Sequence, residues 1–297
     1  MKKAFMQLHM AVFLAGFTGI FGRLIDLNEG WLTWYRLLIT ASTMWVFFFF
    51  AKKLRRIPSA DILKLTGIGF LAAMHWVTFY GSIKYANVSV ALVCFSAVGF
   101  FTALLEPLFL RTRVKWIELF LGLLVIVAIS LIFHFDPQYK TGIILGITSA
   151  VLIASAIIFL KQLVARINPE TLLTWQMTGA FASLSAIMPL YHYLFPTDYI
   201  FPNSNDWLWL LLLSWFCSVI AFQFSIYSLK KLSAFTVNLT FNLEPVYGII
   251  LAFVIFKENE LLSKWFFIGF GIIALALVAH VFILIWEHKK NLPHAAE

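Results

Sequence analysis

Residues 88–110 read VSVALVCFSAVGFFTALLEPLFL, and this stretch alone indicates a chain built for a lipid bilayer. It runs for about twenty residues with a single charged side chain, Glu106, and that length matches the hydrocarbon core of a membrane. The stretch is continuously apolar, whereas a membrane β-barrel needs short segments of alternating polarity, so only a helix satisfies its backbone groups in lipid. We predict that it crosses the membrane as a helix.

Nine further stretches of similar length and composition occur along the chain. The ten predicted spans are 5–22, 31–51, 62–83, 88–110, 116–133, 142–160, 170–194, 207–229, 234–256 and 263–286. The longest connection, residues 195–206, is too short to fold alone. Apolar residues make up 62% of the chain and charged residues 12%, which leaves no soluble domain. The predicted fold class is an all-α membrane protein with ten transmembrane helices.

The lysines and arginines are distributed unequally between the two ends of these spans. Most lie on the side of the N-terminus, and the opposite side carries only Arg23, Lys84, Lys140, Lys257 and Lys264. The positive-inside rule therefore predicts that both termini are cytoplasmic. It also accounts for the net charge of +8, so we expect the lipid bilayer, and no nucleic acid, as the partner of the basic residues.

An internal repeat relates the two halves of the chain. A shift of 146 residues lays the Ser-Ile-Lys of 82–84 over the Ser-Leu-Lys of 228–230, and Arg111 over Lys257. Each half holds five spans, and an odd number means that the second half enters the membrane from the opposite side. Inverted repeats are the architecture of secondary transporters, whose substrate site lies near the midplane between the repeats. The alternative is that the duplication reflects evolutionary history alone.

The repeats give the predicted domain organisation. We place a first five-helix repeat at residues 1–135, a second at 136–290 and a cytoplasmic tail at 291–297.

Several short motifs resemble those of the drug/metabolite transporter superfamily, specifically its EamA type. They are Phe95-Ser96, the FTALLEPLF of 101–109 with Arg111, the NLEPV of 242–246, Phe256-Lys257-Glu258 where the family usually has a Gly-Glu pair, and Gly269 with Gly271. The resemblance covers nearly the whole chain. It implies a ten-helix exporter or importer of small organic solutes, amino acids prominent among them. We expect export as the net direction and a location in the inner membrane of a bacterium. We expect no cofactor and no metal.

Only three charged residues fall well within the spans: Arg36, Glu106 and Glu244. A charged side chain at membrane depth costs free energy, so such residues line a substrate or ion pathway or form an ion pair. Glu244 is the strongest candidate, because Pro245 after it removes a backbone donor and breaks the helix beside a carboxylate, as a substrate or coupling-ion site needs. The other polar residues of this span are Thr236, Thr240, Asn238, Asn242 and Tyr247. They either line the pathway or only hold helices together.

The candidates outside span nine each have two interpretations. Arg36 could hold a substrate carboxylate, or it could snorkel outward past its neighbouring aromatic residues. His75, with Phe79 nearby, could relay protons or be a neutral hydrogen-bonded histidine. Gln223 is a further candidate in span eight. In span four we predict a second helix break at Pro107, a Glu106 that snorkels toward Arg111 and Arg113, and a cavity wall formed by Phe95, Ser96 and Gly99.

The sequence carries no motif for other membrane activities. A metalloprotease His-Glu-x-x-His, a Gly-x-Ser-x-Gly and a phosphate-binding glycine loop do not occur, and the histidines are scattered. We therefore predict a transporter and not an enzyme. Transport is passive or driven by an ion gradient. In the driven case, Glu244 exchanges protons with the pathway, and its charge biases which side of the protein opens. The alternatives are a passive uniporter or an exporter of drugs or other metabolites. An intramembrane enzyme is the third alternative.

Overall fold

In a computed structural model the described part of the chain is helical, with no strand. It comprises residues 2–164, 166–229, 231–232, 237, 240–241 and 243–291. The predicted site residues Asn238 and Asn242 lie outside it, as does the predicted tail except for Asn291.

Twelve α-helices are described. The first half contains α1 (Lys2–Leu24), α2 (Glu29–Phe50), α3 (Ser59–Tyr85), α4 (Val88–Phe95), α5 (Val98–Leu110) and α6 (Trp116–Phe135). The second half contains α7 (Lys140–Val164), α8 (Pro169–Leu194), α9 (Ser204–Ser214), α10 (Ala221–Leu229), α11 (Glu244–Phe256) and α12 (Lys264–Asn291). A π-helical stretch, Trp215–Ile220, joins α9 to α10, so that the three together form one span.

Within the described residues, eight helical spans are long and apolar enough to cross a membrane. The predicted seventh span is a helix of 26 residues but a more polar one, with Thr171, Thr174 and Gln176 buried on it. The predicted ninth span is represented by the 13 residues of α11. The chain is thus an all-helical, multi-pass membrane protein. The number of ten helices and the cytoplasmic location of both termini stay predictions.

The repeat is visible in the backbone of α5 and α11. Both helices have 13 residues, and the shift of 146 residues superimposes their bounds. Each ends at a residue in the left-handed conformation, Arg111 at φ 54° and Lys257 at φ 53°. Beyond Lys257, Glu258 contacts Val88 at the start of α4, whereas Arg111 lies at the opposite end of the span that α4 begins. The two helices therefore run in opposite senses, as inverted repeats require.

The predicted fourth span is interrupted in the middle. Helix α4 ends at Phe95, a turn occupies Ser96 and Ala97, and α5 begins at Val98, just before the Gly99 that the repeat pairs with Pro245. Helix α5 then continues through Pro107 to Leu110, so the predicted break at Pro107 is wrong. Proline is tolerated inside a membrane helix that packs against its neighbours, and α5 lies against α6 and α7.

The helices of the two halves interleave. Helix α1 packs on α10 and α11, α5 packs on α7, α6 packs on α12, and α3 packs on both α7 and α8. Glycines permit the closest crossing: a Cβ on Gly69 of α3 would lie 2.4 Å from the carbonyl oxygen of Gln176, and one on Gly179 of α8 would lie 2.4 Å from the Cα of Thr66. Small residues at such crossings are the usual basis of helix association in lipid.

Candidate functional site

The central polar group of the bundle is the guanidinium of Arg36. Its helix, α2, presents it to the interior, where it is 2% exposed, so Arg36 does not snorkel to the surface. Its Nη2 donates to the Oγ of Ser218 over 3.0 Å and its Nη1 donates to the hydroxyl of Tyr80. The guanidinium also lies over the ring of Trp76, 4.4 Å from the centroid. Residues from both halves thus hold this cation.

The π-helical stretch positions Ser218, which accepts hydrogen bonds from Arg36. Ser218 lies within it, and Ser214, one turn earlier, donates its hydroxyl to the backbone carbonyl of Arg36 over 3.3 Å. A π-helical stretch inserts extra backbone into a helix and redirects the side chains around it, and such stretches are frequent at functional sites. Span eight is therefore fixed against α2 at the level of Arg36.

Arg36 has hydrogen-bonding capacity left over. A guanidinium carries five N–H donors, and three are directed at Ser218 and Tyr80, counting the 3.3 Å contact of Nε. Among the described residues no carboxylate lies within ion-pairing distance, 4.0 Å, of Arg36. Burying a cation without a counter-ion is costly. The arrangement suits an anionic group that arrives from outside the protein.

Glu244 is a carboxylate in the same region as Arg36. It is the first residue of α11, and Pro245 stands in the first turn of that helix. Leu243 before it adopts a turn, at the position that the repeat pairs with Ala97 before α5. Glu244 is half-buried, and it lies close enough to Arg36 for the charge of the guanidinium to act on it. The helix interruption, the carboxylate and the buried cation therefore belong to one region.

His75 forms a second group, next to Arg36. Its Nδ1 lies 2.7 Å from the Oγ and 3.1 Å from the carbonyl oxygen of Ser149 on α7, and the charge of Arg36 also acts on it. Its ring lies 5.9 Å from that of Phe79 and 5.7 Å from that of Phe95. The structure brings the predicted residues His75, Phe79 and Phe95 together as one aromatic cluster that joins α3 to the α4–α5 interruption.

The remaining predicted residues are more dispersed. The hydroxyl of Ser96 donates a hydrogen bond to the backbone carbonyl of Leu92. Gly99 is exposed, and a Cβ there would meet open space. Thr240 is buried, Gln223 is half-buried on α10, and Tyr247 contacts Phe13 and Gly16 of α1.

Glu106 does not pair with the predicted partners Arg111 and Arg113. It forms an ion pair with Lys161, 2.7 Å away, because α5 packs on α7.

Four members of the site were not predicted: Tyr80, Trp76, Ser214 and Ser218. The spacing of Ser214 and Ser218 places both on one helix face, which is a weak signal by itself. That this face meets Arg36 depends on how the second half packs against the first, and a single sequence does not contain that register.

Comparisons with known proteins agree with this architecture. The model of a family described as the EamA-like transporter family matches residues 2–134 and again residues 140–280. One solved crystal structure is similar over 95% of this chain and 98% of its own, with a TM-score of 0.64 and 17% sequence identity, a likeness that shows the fold alone. No curated protein matches the chain.

Proposed function

Because the chain belongs to the EamA-like transporter family, a membrane transporter family of the drug/metabolite type, we propose that it carries amino acids or closely related metabolites by alternating access. We place it in the inner membrane of a bacterium, with export as the net direction. It acts as a secondary transporter and not as an enzyme.

One observation supports amino acids above other solutes: Arg36 is buried in the same region as Glu244, and none of the carboxylates that the structure describes forms an ion pair with it. A guanidinium binds a carboxylate in a bidentate fashion, and a carboxylate binds an ammonium group. An α-amino acid carries both groups on one carbon. Arg36 is therefore the proposed anchor for the substrate carboxylate, and Glu244 the proposed acceptor for its ammonium.

Glu244 also provides a route to coupling. A proton and a substrate ammonium compete for one carboxylate, so Glu244 binds one or the other, and each occupancy favours a different opening of the two halves. A carrier in which the proton and the substrate alternate is an antiporter. Because protons flow into bacterial cells, such an antiporter exports its substrate.

A second candidate function is export of apolar cationic solutes. The cluster of His75, Phe79 and Phe95 favours it, because aromatic faces attract cations. Passive uniport is the corresponding alternative for the mechanism, with Glu244 serving only as a hydrogen-bonding group.

Counterflow in proteoliposomes separates these possibilities. Liposomes loaded with unlabelled amino acids are given a labelled pool, with and without an imposed pH gradient, and wild type is compared with Glu244→Gln. We expect amino-acid exchange that responds to the gradient only in wild type. The matched control is Glu106→Gln, because Glu106 pairs with Lys161 at the surface and should leave the response intact. Exchange with the same rate and pH dependence in Glu244→Gln would reject the coupling role, and no exchange of any amino acid would reject the substrate class.

A further inference from the structure

A groove opens on the surface between α3 and α7, away from the Arg36 region. It has a volume of about 500 Å³, and Phe70, Leu71 and Phe159 form much of its apolar wall. That volume falls within the range of small-molecule sites, about 300–1,000 Å³. Its polar end carries Lys64 and Arg166, on the side of the membrane where α1 begins.

The groove lies beside the contact between α3 and α7. Leu65 and Ile68 of α3 pack with Leu163 of α7 in one buried cluster, and Arg166 pairs with Asp61, so the two helices stay in contact at this end. Gly67 lies on the exposed side of α3, where a Cβ would meet no atom within 4 Å. The space beside Gly67 is therefore open and is not filled by a close contact between helices.

The two cations at the polar end are available to an anion. Lys64 is exposed, and no hydrogen bond or ion pair joins it to another residue in the part of the chain that the structure describes. Arg166 donates to the nearly buried carboxylate of Asp61 over 2.8 Å. That pair orients the guanidinium at the rim of the groove, and no other described residue accepts a hydrogen bond from its remaining N–H groups.

We propose that this groove is a binding site for one anionic phospholipid. The phosphate lies between Lys64 and Arg166, and one acyl chain lies along Phe70, Leu71 and Phe159 in the space beside Gly67. Basic pockets between membrane helices on the cytoplasmic side attract anionic headgroups, and each Lys or Arg near the surface strengthens the attraction about 5-fold. The inference needs only that the chain lies in a membrane, so it stands or falls independently of the proposed substrate.

Native mass spectrometry of the purified full-length protein tests the site. The protein is mixed with phosphatidylglycerol or with phosphatidylethanolamine of the same acyl chains, and the fraction that retains one lipid is measured. Lys64→Gln removes the unpartnered cation, and Gly67→Leu fills the groove without altering charge. Both positions are open to the surface, so both variants should fold. The double variant Lys2→Gln/Lys3→Gln is the matched control, because it removes charge on the same side at a distance from the groove.

The expected result is a preference of wild type for phosphatidylglycerol that falls about 5-fold in Lys64→Gln. Gly67→Leu should reduce retention of phosphatidylglycerol by at least as much, and the control should behave as wild type. Equal retention of the two lipids by wild type would overturn the proposal. Unchanged retention in Gly67→Leu would also overturn it, because the headgroup would then bind without the groove.

Discussion

Arginine keeps its proton even when buried, so Arg36 brings a permanent charge into the interior of the bundle. Hydroxyl groups of Ser218 and Tyr80 and the face of Trp76 compensate for part of the lost hydration. None of them is an anion, and a cation held only by neutral groups favours the binding of a carboxylate. The residue type and its depth were evident from the sequence, but its partners were not, because they come from two other elements, α3 and the π-helical stretch.

Arg36→Gln should lose most of this binding while keeping the fold. A glutamine still hydrogen-bonds to Ser218 and Tyr80, but it provides no charge for a substrate carboxylate. A hydrogen bond to a charged group contributes about 1.5–3 kcal/mol, so we expect KM in counterflow to rise at least about 10-fold. Arg36→Lys keeps the charge without the planar fork and should recover only part of the affinity. Arg113→Gln is the surface control. An unchanged KM in Arg36→Gln would show that the guanidinium does not contact substrate.

At the scale of single elements, the paired interruptions before α5 and α11 are the clearest product of the repeat. The sequence predicted a break at Pro245, and the repeat pairs Gly99 with Pro245. The described helices begin at Glu244 and Val98. Pro107 gave the same signal at a place where the helix continues, because packing and not proline alone decides whether a membrane helix breaks. The π-helical stretch Trp215–Ile220 could not be predicted, since its residues are ordinary for an apolar helix.

The crossing of α3 and α8 gives a prediction at this scale. Gly179→Ala adds a methyl group 2.4 Å from the Cα of Thr66, which forces the two helices apart. Overpacking of this kind costs about 1–3 kcal/mol, so thermal unfolding in detergent should occur at a lower temperature than in wild type. Gly67→Ala is the matched control on α3, because its new methyl group meets nothing within 4 Å. Equal unfolding temperatures for the two variants would argue against this crossing.

At the scale of the whole molecule, the two halves are tied together on both sides of the membrane. On the side where α1 ends, the buried Glu258 pairs with Arg23 and accepts hydrogen bonds from the backbone of Val88 and Ser89. On the other side, Lys53 donates to the hydroxyl of Tyr227 over 3.0 Å. That hydrogen bond raises the pKa of Lys53, so this tie weakens only as the pH rises into the alkaline range. Alternating access requires one side to separate at a time.

A crosslink across one side should therefore stop transport. In the double variant Lys53→Cys/Tyr227→Cys, a short reversible bis-thiol reagent should abolish counterflow, and reduction should restore it. The native Cys94 and Cys217 are buried and should not react. Each single-cysteine variant treated with the same reagent controls for local effects. Continued exchange by fully crosslinked protein would exclude an opening on that side.

The most direct test of the central claim, that Arg36 and Glu244 bind the two charged ends of an amino acid, is counterflow by wild type with three forms of one substrate. These are the free amino acid, its methyl ester, which lacks the carboxylate, and its N-acetyl derivative, which lacks the ammonium. We expect exchange of the free amino acid and at least about 10-fold poorer exchange of either derivative. Exchange of the ester or the N-acetyl form as fast as the free amino acid would contradict it.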